Sequence, residues 1–208
     1  MSATLSQRLR AETKDAHVRA ERSGIMRNLL GGTITKEAYV PMLRNLAEIY
    51  RALEQELERH SRHPALVGID LHALRRLDAL ERDIAVLDVD AGDAVPAPCP
   101  ATSTYVLRLH ELGDATPELL LAHAYVRYMG DLSGGLILKG IVAKTLGIDG
   151  DDGLAFFTFP HIADPVAFKR AFRDALDAAA FVVTSPDAVV REAQLGFALH
   201  ERLFQELQ

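Results

Sequence analysis

Tryptophan is absent from the 208 residues, and the single cysteine, Cys99, has no partner with which to close a disulfide. One thiol excludes both a disulfide framework and a redox-active pair, and it is compatible with a reducing cytosol. No apolar run approaches the roughly 20 residues that a membrane-crossing helix needs. The opening MSATLSQRLRAETKD is charged and lacks an apolar centre, so it does not read as a secretion signal, and the closing LHERLFQELQ is amphipathic without a hydrophobic tail. These features predict a cytoplasmic protein with no membrane anchor. Basic charge is scarce as well: 23 Lys and Arg stand against 29 Asp and Glu, a formal charge of -6, and no basic stripe follows the chain. Nucleic acid is therefore not an expected partner.

What the chain does contain is helix-forming sequence. Hydrophobic residues make up 49% and charged residues 25%, and Leu and Ala recur throughout, which predicts an all-α domain spanning residues 1–208. Thr4 and Gln7 fit a capping box at the start of a helix running to about Arg22, with Leu5, Leu9, Ala16 and Ala20 on one face. A second helix, from near Thr35 to about Arg59, turns Leu43, Leu46, Leu53 and Leu57 inward, with Pro41 expected to delay or kink its start. Asp70 can cap a third, with Leu74, Leu77, Leu80, Ile84 and Leu87 as its stripe. The Pro- and Asp-rich stretch from Asp88 through Thr102 is the longest expected loop, and Gly113 is expected to end the helix after it. Thr116-Pro117, Asp164-Pro165 and Ser185-Pro186 each pair a cap residue with proline at the first helical position.

The helical pattern from Pro117 meets Gly130-Asp131-Leu132-Ser133-Gly134-Gly135 and then resumes as Leu136 to Leu146. Each interior glycine costs about 0.5 to 1 kcal/mol relative to alanine, so something must compensate for three of them. A turn between two helices would do so, as would close packing of another helix on Gly130-x-x-x-Gly134. So would a helix opened to lay bare backbone against a flat ligand, with Asp131 and Ser133 beside it. Asp131 has a plainer reading too, as a cap for the resumed helix.

Haem is such a ligand, and it needs an iron ligand, cations for its propionates and apolar walls. His17 lies at the margin of the first apolar stripe, and Glu21, four residues on, can accept its second ring N–H. Arg10 precedes His17 by seven residues, about 10 Å along a helix, a span comparable with that from haem iron to a propionate. Lys169 and Arg173 form a second cationic edge beside Phe168 and Phe172. Taken singly, a helical histidine also serves as a surface or core residue, and helical cations also solvate a surface; their joint occurrence is what points to haem.

With these residues in place, the sequence resembles the haem oxygenase family along nearly its whole length. The resemblance is carried by ATPELLLAHAYVRYMGDLSGG, by ETKDAHVRAE, and by GLAFFTFPHI followed by FKRAFR. It implies a single-domain helical fold with haem sandwiched between the first helix and a kinked distal helix. It also implies that His17 is the axial iron ligand, with Glu21 as its carboxylate, and that Gly130 and Gly134 let the distal helix approach the haem. Asp131 would organise distal water, joined by Arg127, Tyr50 and Tyr105. Arg10, Tyr125, Lys169 and Arg173 would meet the propionates, and Phe197 and Phe204 would form apolar walls. Three positions depart from the pattern: Leu136 replaces the usual Gln, Leu29 an aromatic, and His200 a position that can be Asn.

The resemblance further implies O2- and electron-dependent cleavage of haem b to biliverdin, with IXα regiochemistry, carbon monoxide and ferrous iron. No nucleotide or flavin motif is present, so an external ferredoxin or flavoprotein reductase is the expected electron donor. A non-catalytic haem carrier or sensor is the competing reading; it would keep His17 and the cations but has no use for Asp131. A di-iron carboxylate bundle is excluded, because none of the eight histidines has Glu three residues before it.

Overall fold

The computed structural model describes residues 3–88 and 96–208, and its described residues are helical without a strand. Among the described residues, ten α-helices follow in order: α1 (Leu5–Glu12), α2 (Lys14–Glu21), α3 (Gly24–Leu30), α4 (Lys36–Arg59), α5 (Leu71–Leu74), α6 (Leu77–Leu87), α7 (Pro100–Ala115), α8 (Leu120–Leu146), α9 (Pro165–Ala179) and α10 (Pro186–Glu206). Short 3-10 turns at Pro117–Leu119 and Ala155–Phe157 flank α8. The apolar stripes of these helices merge in one contiguous core. Within it, α4 packs on α6 and α7, while α10 packs along both α2 and α8.

Local signals set many of the helix ends. Thr4 and Gln7 form the expected capping box, Asp70 accepts from the amide of Ala73, Asp164 accepts from Val166 and Ala167, and Ser185 accepts from Ala188. Thr35 and Thr116 flank helices without making a side-chain cap bond, and α8 is preceded by the 3-10 turn.

Four expectations are corrected. The first helix divides at Thr13, whose hydroxyl bonds back to the carbonyl of Leu9 at 2.7 Å, a local competition that bends helices. Pro41 does not delay α4, which begins at Lys36, and Asn45 Nδ2 donates to the Pro41 carbonyl at 2.8 Å. The helix capped by Asp70 stops after one turn, because Arg76 turns its guanidinium inward onto the carbonyls of Leu74, Phe156 and Thr158. A carboxylate from another helix, Glu54, then accepts the amides of Arg76 and Leu77 and starts α6 afresh. Gly113 does not end α7 but is buried within it: a Cβ there would stand 2.1 Å from Glu56 Oε2, so the glycine permits close approach of α7 to α4. Of the expected loop, residues 89–95 lie outside the described residues, and Pro100 to Thr102 are already helical.

The turn into α3 fixes the α2 side of the molecule. Gly24 has φ +40°, and a Cβ there would fall 1.7 Å from the carbonyl oxygen of Phe204. Only glycine admits this backbone-to-backbone contact, which seats the α2–α3 corner on the end of α10.

Candidate haem site

Across Gly130 to Gly135 the α8 helix is continuous, and none of its glycines has positive φ. The expected opening of the helix is therefore corrected: these glycines do not serve a special backbone conformation. A Cβ at Gly130 or Gly134 would meet nothing within 4 Å, which removes close helix packing as the reason for that pair. Gly135 differs, since its Cβ would stand 3.1 Å from the carbonyl oxygen of Phe157. Gly130 and Gly134 thus leave a bare strip of helix, and beside it Ile137 is 68% exposed. Ile137 shares the Gly130 face at helical spacing. An apolar side chain beside bare backbone fits a flat apolar ligand.

Asp131 sits at the edge of this strip in a dense polar cluster. Tyr50, from α4, donates to Asp131 Oδ2. Arg127, one turn earlier on α8, donates from Nε to the Tyr50 hydroxyl at 3.1 Å and from Nη2 to Asp131 Oδ1 at 3.3 Å. Its Nη1 reaches His200 Nε2 on α10 at 2.7 Å. Burial pushes the Asp131 carboxyl above its ordinary pKa, while Arg127, Tyr50 and Arg76 pull it back. Its side chain retains 15% exposure, and two donors leave roughly two of its four lone-pair sites unused.

On α2, the His17 side chain is 46% exposed, with Nδ1 3.5 Å from Glu21 Oε2. Phe197 of α10 meets the imidazole edge-on, with ring centroids 5.5 Å apart at 78°. The carboxylate on the Nδ1 side leaves Nε2 as the nitrogen for a metal. Phe204 is buried one turn past His200, whose ring it meets at 5.8 Å. Tyr125 of α8 lies beside Thr13, in the field of Arg10 and Arg173; burial raises its phenol pKa, and the Thr13 hydroxyl and the two guanidiniums oppose that rise. Among the described residues, none of Arg10, Lys169 and Arg173 is paired with a carboxylate, whereas Arg8 and Arg19 are. Two helices that pack together, α1 and α9, carry these cations.

Tyr105 stands one layer behind the Asp131 cluster. Its hydroxyl bonds His123 Nδ1 at 2.9 Å, and its ring meets His200 edge-on at 4.9 Å. His123 bonds Glu192 at 2.9 Å, and Glu192 holds Arg108 through both oxygens. Sequence reasoning named Tyr105 but missed His123, Glu192 and Arg108 behind it, and Arg76. A signal for the layer existed: His123, Arg127 and Asp131 recur every four residues on α8, as do Glu192, Gly196 and His200 on α10, so each set forms a single stripe.

Comparison with known proteins shows the family of the chain. The family described as heme oxygenase matches residues 3–206. The chain belongs to the haem oxygenase family. It is 42% identical to heme oxygenase 1 of Rattus norvegicus over 211 residues, covering 100% of this chain and 73% of that protein. Heme oxygenase 1 of Nostoc is 38% identical, covering 100% of this chain and 87% of the relative. Among solved structures, heme oxygenase from Leptospira interrogans superposes with a TM-score of 0.93 at 34% identity, covering 98% and 100% of the two chains. Heme oxygenase-1 from Synechocystis, solved in complex with heme, gives 0.86 at 33% identity, covering 99% and 93%. The haem oxygenases are enzymes that degrade haem, and their helical fold is that of this chain. No helix among the described residues is long and apolar enough to cross a membrane.

Proposed function

We propose that this chain, as one domain over residues 1–208, oxidatively cleaves haem b to biliverdin IXα, carbon monoxide and ferrous iron. O2 is the co-substrate, and electrons come from an external ferredoxin or flavoprotein reductase to a cytoplasmic enzyme. The observation that carries this reading is the placement of Asp131, in a buried Tyr50–Arg127 cluster, beside the bare Gly130 and Gly134 surface.

Haem fits the residues present. His17 Nε2 takes the iron while Glu21 fixes the ring through Nδ1. Gly130 and Gly134 would give the macrocycle room against α8. Arg10, Tyr125, Lys169 and Arg173 would hold the propionates, with Phe197 and Phe204 as apolar walls. The iron supplies the oxygen chemistry. Asp131, with unused lone pairs and a pKa raised by burial, holds water and passes a proton when the reaction requires one. Arg127 and Tyr50 keep its carboxylate in place, and Tyr105 supports them from behind.

A carrier or sensor needs the histidine and the cations but not this carboxylate. Purified protein given ferric haem, reductant, oxygen and catalase is expected to lose its Soret band as bilin absorbance rises. An intact haem complex that persists under these conditions would overturn the enzymatic reading in favour of the carrier.

A further inference from the structure

The Arg127 guanidinium has three bonded neighbours, and the third, His200, has no role in the proposed reaction. Arginine offers five N–H donors and no acceptor. Arg127 commits Nε to Tyr50, Nη2 to Asp131 and Nη1 to His200 Nε2 at 2.7 Å. For that last contact to be a hydrogen bond, Nε2 must carry a lone pair. The other ring nitrogen supplies the reason that it does: Nδ1 lies 3.0 Å from the carbonyl oxygen of Gly196, which can only accept, so the ring proton resides on Nδ1.

We propose that His200 is a positioning residue, whose Nε2 lone pair fixes the Arg127 guanidinium and through it the orientation of the Asp131 carboxylate. A second proton would set two N–H donors against each other. Burial and the neighbouring Arg127 charge both push the His200 pKa well below the ordinary histidine value, so the acceptor form is the one present.

The groups facing this ring hold it from every side. Tyr105 of α7 meets it edge-on at 86°, Phe204 of α10 packs at 5.8 Å, and Arg127 and His123 approach from α8. Tyr105 is itself anchored. Glu192 is pinned as a carboxylate by Arg108, so His123 donates to it from Nε2, while its Nδ1 is hydrogen-bonded with the Tyr105 hydroxyl. Gly196 lets α10 come this close: a Cβ there would be 3.3 Å from His123 Nδ1. The chain ends on a ring contact and not on a hydrogen bond, so it acts by position and not by conducting protons to Asp131.

The inference rests on the reading of Asp131 as the group that governs turnover, and nitrogen NMR of ligand-free protein tests it apart from that reading. With 15N-labelled histidine, His200 is expected to show a protonated Nδ1 and an unprotonated Nε2, unchanged from about pH 5.5 to 8. A protonated Nε2, or a ring that titrates in that range, would overturn the inference. In turnover, His200→Leu removes the acceptor and is expected to lower the rate of ring opening by at least about ten-fold, the scale of a lost hydrogen bond to a charged group. His200→Gln places an amide oxygen at the reach of Nε2 and is expected to recover most of that loss, with haem affinity alike in both variants. Equal rates for the Leu and Gln variants, or a loss of haem affinity that matches the loss of rate, would contradict a positioning role.

Discussion

Replacing both Gly130 and Gly134 by alanine should stabilise the ligand-free protein while damaging haem binding. Neither added methyl meets protein within 4 Å, and neither glycine uses a conformation closed to alanine. The gain is therefore the helix-propensity difference, about 0.5 to 1 kcal/mol at each site, or about 1 to 2 kcal/mol for the pair. For a chain of this length, each kcal/mol corresponds to roughly 2 to 4 °C, so the double variant should melt about 2 to 8 °C higher. Haem pressed on the same surface meets two extra methyl groups. Overpacking of that kind costs about 1 to 3 kcal/mol, which is roughly 5- to 150-fold in affinity. Thermal unfolding without ligand and Soret titration with haem read the two effects separately. Gly135→Ala is the control, because its methyl would crowd the Phe157 carbonyl at 3.1 Å and should cancel the propensity gain. A double variant that melts below wild type, or that binds haem as tightly, would refute the assignment of these glycines to a ligand surface.

His17→Ala should move the Soret band and abolish turnover, with added imidazole restoring part of it; an unaltered Soret position would mean that another residue holds the iron. Asp131→Asn keeps the size of the side chain but gives up the proton-accepting carboxylate, so haem affinity should hold while bilin yield collapses, and a wild-type yield by absorbance would remove Asp131 from the reaction. Burial works against the Glu192 carboxylate, but hydrogen bonds from His123 and Arg108 outweigh it and lower its pKa from 4.5 to about 2. Its stabilising contribution is complete above pH 4.5 and is lost as the pH falls toward about 2. Urea unfolding across that window should show a flatter acid limb for Glu192→Gln than for wild type, and parallel limbs would contradict the assigned partners.

The helical class and several helix starts were legible because they are local: Thr4, Asp70, Asp164 and Ser185 act on amides two or three residues away. The division at Thr13 was local too, but a threonine that bonds back to residue i-4 has no distinct sequence signature. Other features arise between helices. Glu54 restarts α6 from α4, Arg76 is drawn in by carbonyls near Phe156, and Gly113 is small because of Glu56. Such partners cannot be read from spacing along one segment. The glycine-rich stretch is instructive in both directions. Its composition suggested a helix opened toward a ligand, yet its cost does not go into opening the helix: the hydrogen-bonded helix runs through, and what Gly130 and Gly134 remove is side chain. The Asp131 cluster was legible only in part, because Tyr50 and Arg127 bond it directly whereas His200, His123 and Glu192 act from one layer behind.

The most direct test of haem cleavage is carbon monoxide released per haem. Protein loaded with haem and given excess reductant and oxygen, with catalase present to remove free peroxide, should release one carbon monoxide for each haem lost. Recovery of intact haem with no carbon monoxide would contradict the account.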